Sequence, residues 1–307
     1  MSFALRLMRM AGSTLIAVLA AVMVANIPAL LDYTPEGARL TVLEYITSVG
    51  RSFGFVADVA AGQLHSSSRS ALTVFLKGAP LTLIALVGAV AISLLASLVL
   101  GYLGSRFSRS FIPKGFHSVV VAISASTPEF LAIAVYWTLS IKAYRIWGFA
   151  FSHLYYPLEV VSDPVVGDYL IVALITAIAP TAYLTQTAAQ GFNSAYRSDY
   201  LRTAVAKGVG PLGVLRRHTL KNVLVDMLDL IPSSFGLFMT GLIFAEYLFQ
   251  YPGLANSFVR ELKLFALDRG GGPRAVSLIA VFFTLLFLIL GTLASSVQRR
   301  LDRRIGQ

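Results

Sequence analysis

Few side chains here carry groups that do chemistry, and their spacing rules out most reactions. The four histidines, His65, His117, His153 and His218, are far apart, and no two stand at metal-ligand spacing. There is no cysteine, so disulfides and thiolate metal ligands are excluded. No Gly-x-x-x-x-Gly-Lys-[Ser/Thr] segment occurs, so no loop is built to cradle nucleotide phosphates in the usual way. Without a catalytic cluster the chain does not read as an enzyme. What remains is two acids set close to or within apolar runs, Glu129 and Glu246, and one charged island at residues 196–224.

The elements that must position these groups are apolar. The chain has 307 residues, 56% hydrophobic and 13% charged, with a mean hydropathy of +0.74. Soluble domains carry about 25% charge. Crossing about 30 Å of hydrocarbon takes about 20 helical residues. Six runs qualify: 11–31, 80–104, 119–141, 169–190, 230–248 and 275–297. Only the third has an acid well inside its run, Glu129. The fifth is the weakest, with Asp226 and Asp229 crowding its start and Glu246 near its end. The reading is an all-α membrane protein with six transmembrane helices.

Charge sets the orientation. With the N-terminus cytoplasmic, the inner segments carry 15 of the 25 Lys and Arg residues, as the positive-inside rule requires. Both termini are then cytoplasmic, in a multi-pass protein of the cytoplasmic membrane. The net charge of +10 is a membrane face and not a nucleic-acid footprint. The first run, 21 residues long, exceeds the roughly 7–15 residues of a signal-peptide core, and it reads as a retained span.

The expected organisation follows. Residues 1–31 are an N-terminal segment and first span. Residues 32–79 are an outer segment, 80–297 a membrane core containing an inner loop at 191–229, and 298–307 a cytoplasmic tail. Within the outer segment Val42, Leu43, Ile46, Val49, Phe53, Val56 and Ala60 recur at helical spacing. This predicts an amphipathic helix along the outer membrane surface, which either shields spans or meets an external protein. In the outer loop 142–168, Tyr144, Trp147, Tyr155 and Tyr156 have the character of an interfacial belt. Gly270-Gly271-Gly272-Pro273 reads as a loop hinge before the last span.

The island has its own grammar. Ser198 is suited to cap a helix, and Asp199 in the first turn suits its positive end. Gly208 ends that helix, and Gly210-Pro211 restarts the chain with Pro211 at the first helical position. A second short helix is expected to about Asn222, exposing Arg216, Arg217 and His218. Topology determination alone explains the basic residues but leaves this helix–glycine–helix pattern without a cause.

The pattern resembles the signature loop of the permease subunits of binding-protein-dependent ABC importers, in the dipeptide, oligopeptide and nickel branch. Asp199-Tyr200-Leu201-Arg202-Thr203-Ala204-Val205-Ala206-Lys207-Gly208 is similar to that branch's Asp-Tyr, aliphatic, Arg-Thr-Ala, any residue, Ala-Lys-Gly. Arg217, His218, Leu220 and Asn222 match the Arg-His-x-Leu-x-Asn that follows. Glu246, Phe249, Pro252, Gly253 and Leu254 match Glu-x-x-Phe-x-x-Pro-Gly-Leu. Ser126, Pro128 and Phe130 resemble Ser-x-Pro-x-Phe, and Leu301-Asp302-Arg303-Arg304-Ile305 resembles the tail Leu-Asp-Pro-Arg-Ile. The chain departs from the pattern at Asp226, where relatives have proline, and it lacks the Pro-Gly-Asp after span one.

The resemblance implies a type I ABC importer permease fold and a specific division of labour. A second homologous permease subunit would complete the pathway. Two cytoplasmic ATPase subunits, carrying ATP and Mg, would dock on the island, and an extracytoplasmic substrate-binding protein would deliver solute. This chain itself would bind no cofactor and no metal. Peptides are the first expectation for the solute, with nickel or other metal chelates and glycosides as alternatives. Ser126, Pro128, Glu129 and Phe130 are the pathway candidates. Glu129 either faces the pathway, where it would attract a cationic group, or lies near a helix end against headgroups or partner residues. Glu246 either has a role in the outer motif or merely caps or pairs there. A secondary transporter driven by an ion gradient is the rival from another class. It needs midplane ionisable groups, and only Glu129 qualifies.

Overall fold

The computed structural model describes residues 3–34, 37–62, 69–106, 122–123, 128–138, 166–199, 208, 210–215, 219–266 and 272–301. Its elements in chain order begin with α1 (Phe3–Ala25), a 3-10 turn (Ile27–Leu30), β1 (Leu31–Thr34), β2 (Gly37–Leu40) and α2 (Val42–Ala60). Then follow α3 (Arg69–Arg106), α4 (Pro128–Thr138), α5 (Val166–Arg197) and the short α6 (Pro211–Val214). The last are α7 (Leu220–Leu248), α8 (Leu254–Ala266) and α9 (Pro273–Leu301). Helices dominate because hydrocarbon offers no partner to an unpaired backbone N–H or C=O.

Four described helices are long and apolar enough to cross a membrane: α3, α5, α7 and α9. Ala11–Ala25 is a shorter apolar helix, and the described part of the expected third span is the 11-residue α4. Several boundaries differ from expectation. α1 stops at Ala25, not Leu31, because Asn26 turns its side-chain amide back to the Val22 carbonyl (2.8 Å) and Pro28 follows two residues on. An antiparallel hairpin then pairs Leu31 with Leu40 and Thr34 with Gly37, the one pair of strands among the described residues. Span two starts at Arg69, with Pro80 inside the helix and not at its first turn. At 38 residues and about 1.5 Å per residue, α3 outreaches the hydrocarbon. α7 runs unbroken from Leu220 to Leu248, so no separate second helix ends at Asn222, and Asp226 and Asp229 are helical. The inner loop is accordingly shorter than 191–229.

The chain divides into two compact units. In the first, Met1–Leu83 with Pro252–Ile289, the centre is Asn26. Its amide donates to the Ser277 hydroxyl (2.9 Å), and its oxygen accepts from Ser48 (2.6 Å) and Ser52 (3.2 Å). One buried amide thus ties α1, α2 and α9. A second tie holds α8. The Leu254 N–H, an orphan donor at that helix's start, reaches the buried Thr82 hydroxyl of α3 at 2.7 Å. Gly78 makes room for it, since a β-carbon there would lie 3.0 Å from the Leu254 nitrogen. Phe75 and Phe282 meet edge to face at 5.3 Å, which accounts for the helical turns before Pro80.

In the second unit, Ile84–Tyr251 with Leu290–Gln307, α5 and α7 share the largest helix contact among the described elements. Small residues permit the approach. Gly241 of α7 lies against the Thr176 backbone of α5, with 3.3 Å for an added β-carbon. α3 joins through Gly101, where a β-carbon would fall 2.5 Å from Ala188 Cβ and 2.9 Å from the Ala189 nitrogen. Ser93 donates across the same contact to the Ala177 carbonyl (3.3 Å).

Gly101→Val should separate α3 from α5 at a cost of roughly 1–3 kcal/mol. Gly236→Ala, with open space around it, should be neutral or slightly stabilising. Thermal unfolding of the two purified variants checks the contrast, and equal melting temperatures would refute the packing argument.

Candidate functional site

The island is held between two helix ends that are themselves locked together. Leu184, Ala188, Phe192, Val223 and Met227 form a buried cluster, with Leu94, Leu98, Tyr102, Leu215, Leu220 and Leu230 packed on it. Tyr102 and Phe192 meet edge to face at 5.6 Å. Gly191 brings the ends closest, since a β-carbon there would lie 3.1 Å from Val223 Cγ2 and 3.6 Å from the Asp226 carboxylate. The base of the island is therefore a rigid apolar core formed by α3, α5 and α7.

The chain leaves and rejoins this base by specific local chemistry. The Ser198 hydroxyl donates backward to the Ala195 carbonyl at the end of α5, and the helix that it is expected to cap falls on residues outside the described ones. Asp199 beyond it is exposed. Gly208 has φ +80°, the left-handed region that side chains adopt only under strain. α6 begins at Pro211, where the missing N–H costs nothing, and Val214 N–H bonds the Gly210 carbonyl at 3.0 Å. Val214 and Thr219 are buried, so the segment folds back on the base before α7 begins. Asn222 is exposed on the first turns of α7. Tyr200, Arg202, Thr203, Ala204, Ala206 and Lys207, with Arg217 and His218, lie outside the described residues.

At the other end of the same helices sits a cluster that sequence reasoning had only in part. Glu246, in the last turn of α7, is fully buried. Its backbone carbonyl accepts the Tyr251 N–H (2.9 Å), across a turn in which Gln250 takes φ +50°. Tyr251 is also buried and packs edge to face on Tyr169 of α5 at 5.6 Å. Burial, then the neighbouring Tyr169, Glu246 and Asp168, push the Tyr251 phenol far above its ordinary range. It stays protonated, and the cluster joins the start of α5 to the end of α7. Phe249 lies half-buried in that turn. In the first unit, Pro252 is half-buried and Gly253 buried ahead of α8. The aromatic at position 251, inside the Phe-x-x-Pro-Gly spacing, was the available signal.

Of the pathway candidates, Pro128, Glu129 and Phe130 lie in α4, which packs on α5 and α7. Phe130 is 69% exposed. Ser126 lies outside the described residues. Among the described residues no group of His, Cys, Asp or Glu forms a metal site.

Residues 93–307 match the family of the binding-protein-dependent transport system inner membrane component, and the chain belongs to that family. With its long apolar helices it is a multi-pass membrane protein of the importer permease class. It is 28% identical over 183 residues to a candidate peptide permease protein of Brucella suis, covering 59% of this chain and 56% of that protein. It is 24% identical over 217 residues to the dipeptide transport system permease protein of Bacillus subtilis, covering 71% and 65%. It is 26% identical over 129 residues to the glutathione transport system permease protein of Escherichia coli, covering 42% of each. The chain thus spans about half the length of the curated relatives it matches.

Gly208→Ala should loosen the turn ahead of α6, since a β-carbon at this φ costs about 1–2 kcal/mol, while Gly208→Asn should cost less. Space around Gly208 is open, so any effect is conformational. Faster hydrogen exchange of the Val214 amide in the alanine variant, and less in the asparagine one, is the expected readout. Identical exchange in all three proteins would contradict it.

Proposed function

We propose that this chain is the solute-conducting permease subunit of an ATP-driven importer of peptides. The observation that carries this reading is the rigid base under the island. α5 and α7, clamped at Gly191 and closed by Phe192, Val223 and Met227, form a tightly packed base from which the island starts and to which it returns. A docking surface transmits force only if it does not deform under load. Two cytoplasmic ATPase subunits holding ATP and Mg grip the island here and on a second, homologous permease. Their closure switches the side to which the pathway opens. The coupling requires different contacts in each state. An extracytoplasmic binding protein delivers solute, and this chain does no covalent chemistry.

Peptide as the solute is supported by the names of the relatives, and by the island's likeness to the peptide branch. Glu129, an acid on α4, attracts the cationic amino terminus of a peptide within the pathway.

Two measurements test this. Ala204→Glu and Ala206→Glu, placed where the family helix approaches its ATPase, should abolish copurification of ATPase subunits and dipeptide accumulation without lowering the amount of chain in the membrane. Retention of both activities would sink the docking role. Glu129→Gln should leave ATPase attachment intact and reduce uptake of free dipeptides more than of N-acetylated ones. Unchanged uptake with unchanged preference would remove Glu129 from the pathway.

A further inference from the structure

α2 presents three different faces, and their order round the helix identifies what each one meets. Tyr45, Ser48, Ser52 and Phe55 form the docked face. The Tyr45 hydroxyl donates to the Met23 carbonyl of α1 (3.1 Å), the two serines bond Asn26, and Phe55 is buried. The helix thus turns polar groups toward the protein. Its large apolar side chains lie elsewhere. Val42 is 57%, Ile46 61% and Phe53 36% exposed, and Leu43, toward the polar side, is 79% exposed. At about 100° per residue, this strip stands roughly 120° round from the docked face. Glu44, Thr47 and Arg51, all exposed, form a third strip roughly 90° round on the other side.

The geometry points to α2 as a lipid-anchored helix of the outer leaflet, lying in the plane of the membrane beside the first span, with Val42, Ile46 and Phe53 among the acyl chains. A helix between a membrane protein and the bilayer surface needs three environments: protein on one flank, hydrocarbon below and water above. That is the order found. A helix covered by a soluble protein has no need to hold an apolar strip beside a polar one in this relation to its docked face.

Continuity supports the same occupant. Leu15, Ile16, Leu19, Met23 and Val24 of α1 are exposed apolar side chains, and Ala11–Ala25 is an apolar helix. The Tyr45–Met23 bond sets the start of α2 against the end of α1, and Ile27 between them is 49% exposed. Exposed apolar side chains thus stand on both sides of the Tyr45–Met23 contact. Burial of such a strip in the acyl boundary is how in-plane helices bind membranes.

The chain has no cysteine, so single labels are unambiguous. The full-length protein would carry one bimane at Ile46→Cys, Phe53→Cys, Thr47→Cys or Arg51→Cys, in vesicles of phosphatidylethanolamine and phosphatidylglycerol. Brominated acyl chains should quench labels at 46 and 53 several-fold more than those at 47 and 51, and aqueous iodide should show the opposite order. Iodide quenching as strong at 46 and 53 as at 47 and 51 would overturn the assignment. So would protection of 46 and 53 from both quenchers, which would mean that a protein covers this face. A circular dichroism spectrum like that of the unsubstituted chain guards against misfolding, and the two surface positions serve as internal controls.

Discussion

The close approach of α5 to α7 is the constraint on which the second unit depends. In a bilayer, helices gain little from excluding water, because lipid tails are as apolar as leucine. Association must come from contact between surfaces shaped to meet. Gly191, Gly241 and Gly101 supply that shape by omitting side chains where a valine methyl, backbone or alanine lies 2.5 to 3.3 Å from an added carbon. The contact extends from the Tyr169–Tyr251 pair at one end to the Phe192–Val223–Met227 cluster at the other. Along it, buried hydroxyls such as Thr185 and Ser234 return their hydrogens to their own helices, which spares them a partner in hydrocarbon. Thr176, pressed against Gly241, is the one buried side-chain donor without a partner among the described residues. The clamp is close enough there to exclude one.

The first unit uses a different device. Its helices are joined by polar ties at places where the chain turns. Asn26 stands where α1 ends, and it serves three helices because an amide can donate twice and accept twice. Thr82 stands two residues past Pro80 and offers its oxygen to the first N–H of α8. Each tie satisfies groups that burial would otherwise penalise by about 1–3 kcal/mol. Together they let short amphipathic helices, α2 and α8, rest against long apolar ones without a large core of their own.

In the proposed function the island joins mechanics to transport. Its exposed residues at 199, 208 and 210 rise from a core that cannot yield locally, since Leu215 and Leu220 are themselves packed on it. α7 then continues from that core through Pro232 to Glu246 without a break. A push on the island is thereby a push on a helix that reaches the opposite end of the unit. The missing family proline near Asp226 fits this: an acid there lets α7 begin early, where a proline would have delayed it.

Apolar run length and charge placement, read from the residues alone, were enough for a helical multi-pass protein. The order of Asp199 to Gly208 before Glu246 to Leu254 was enough for the family, because both are local signals written in neighbouring residues. Gly208 and Pro211 likewise announced their turns, since backbone conformation there depends on the residue itself. What the tertiary structure decided was where helices end and which residues meet. Pro80 looked like a start, but the turns before it are held by Phe282, a residue far along the chain. Asn26 carried no sign of its role, because a hydrogen-bond hub is defined by partners up to 251 positions away. Three-dimensional proximity of that kind is set by packing, and packing is not written in any local stretch of sequence.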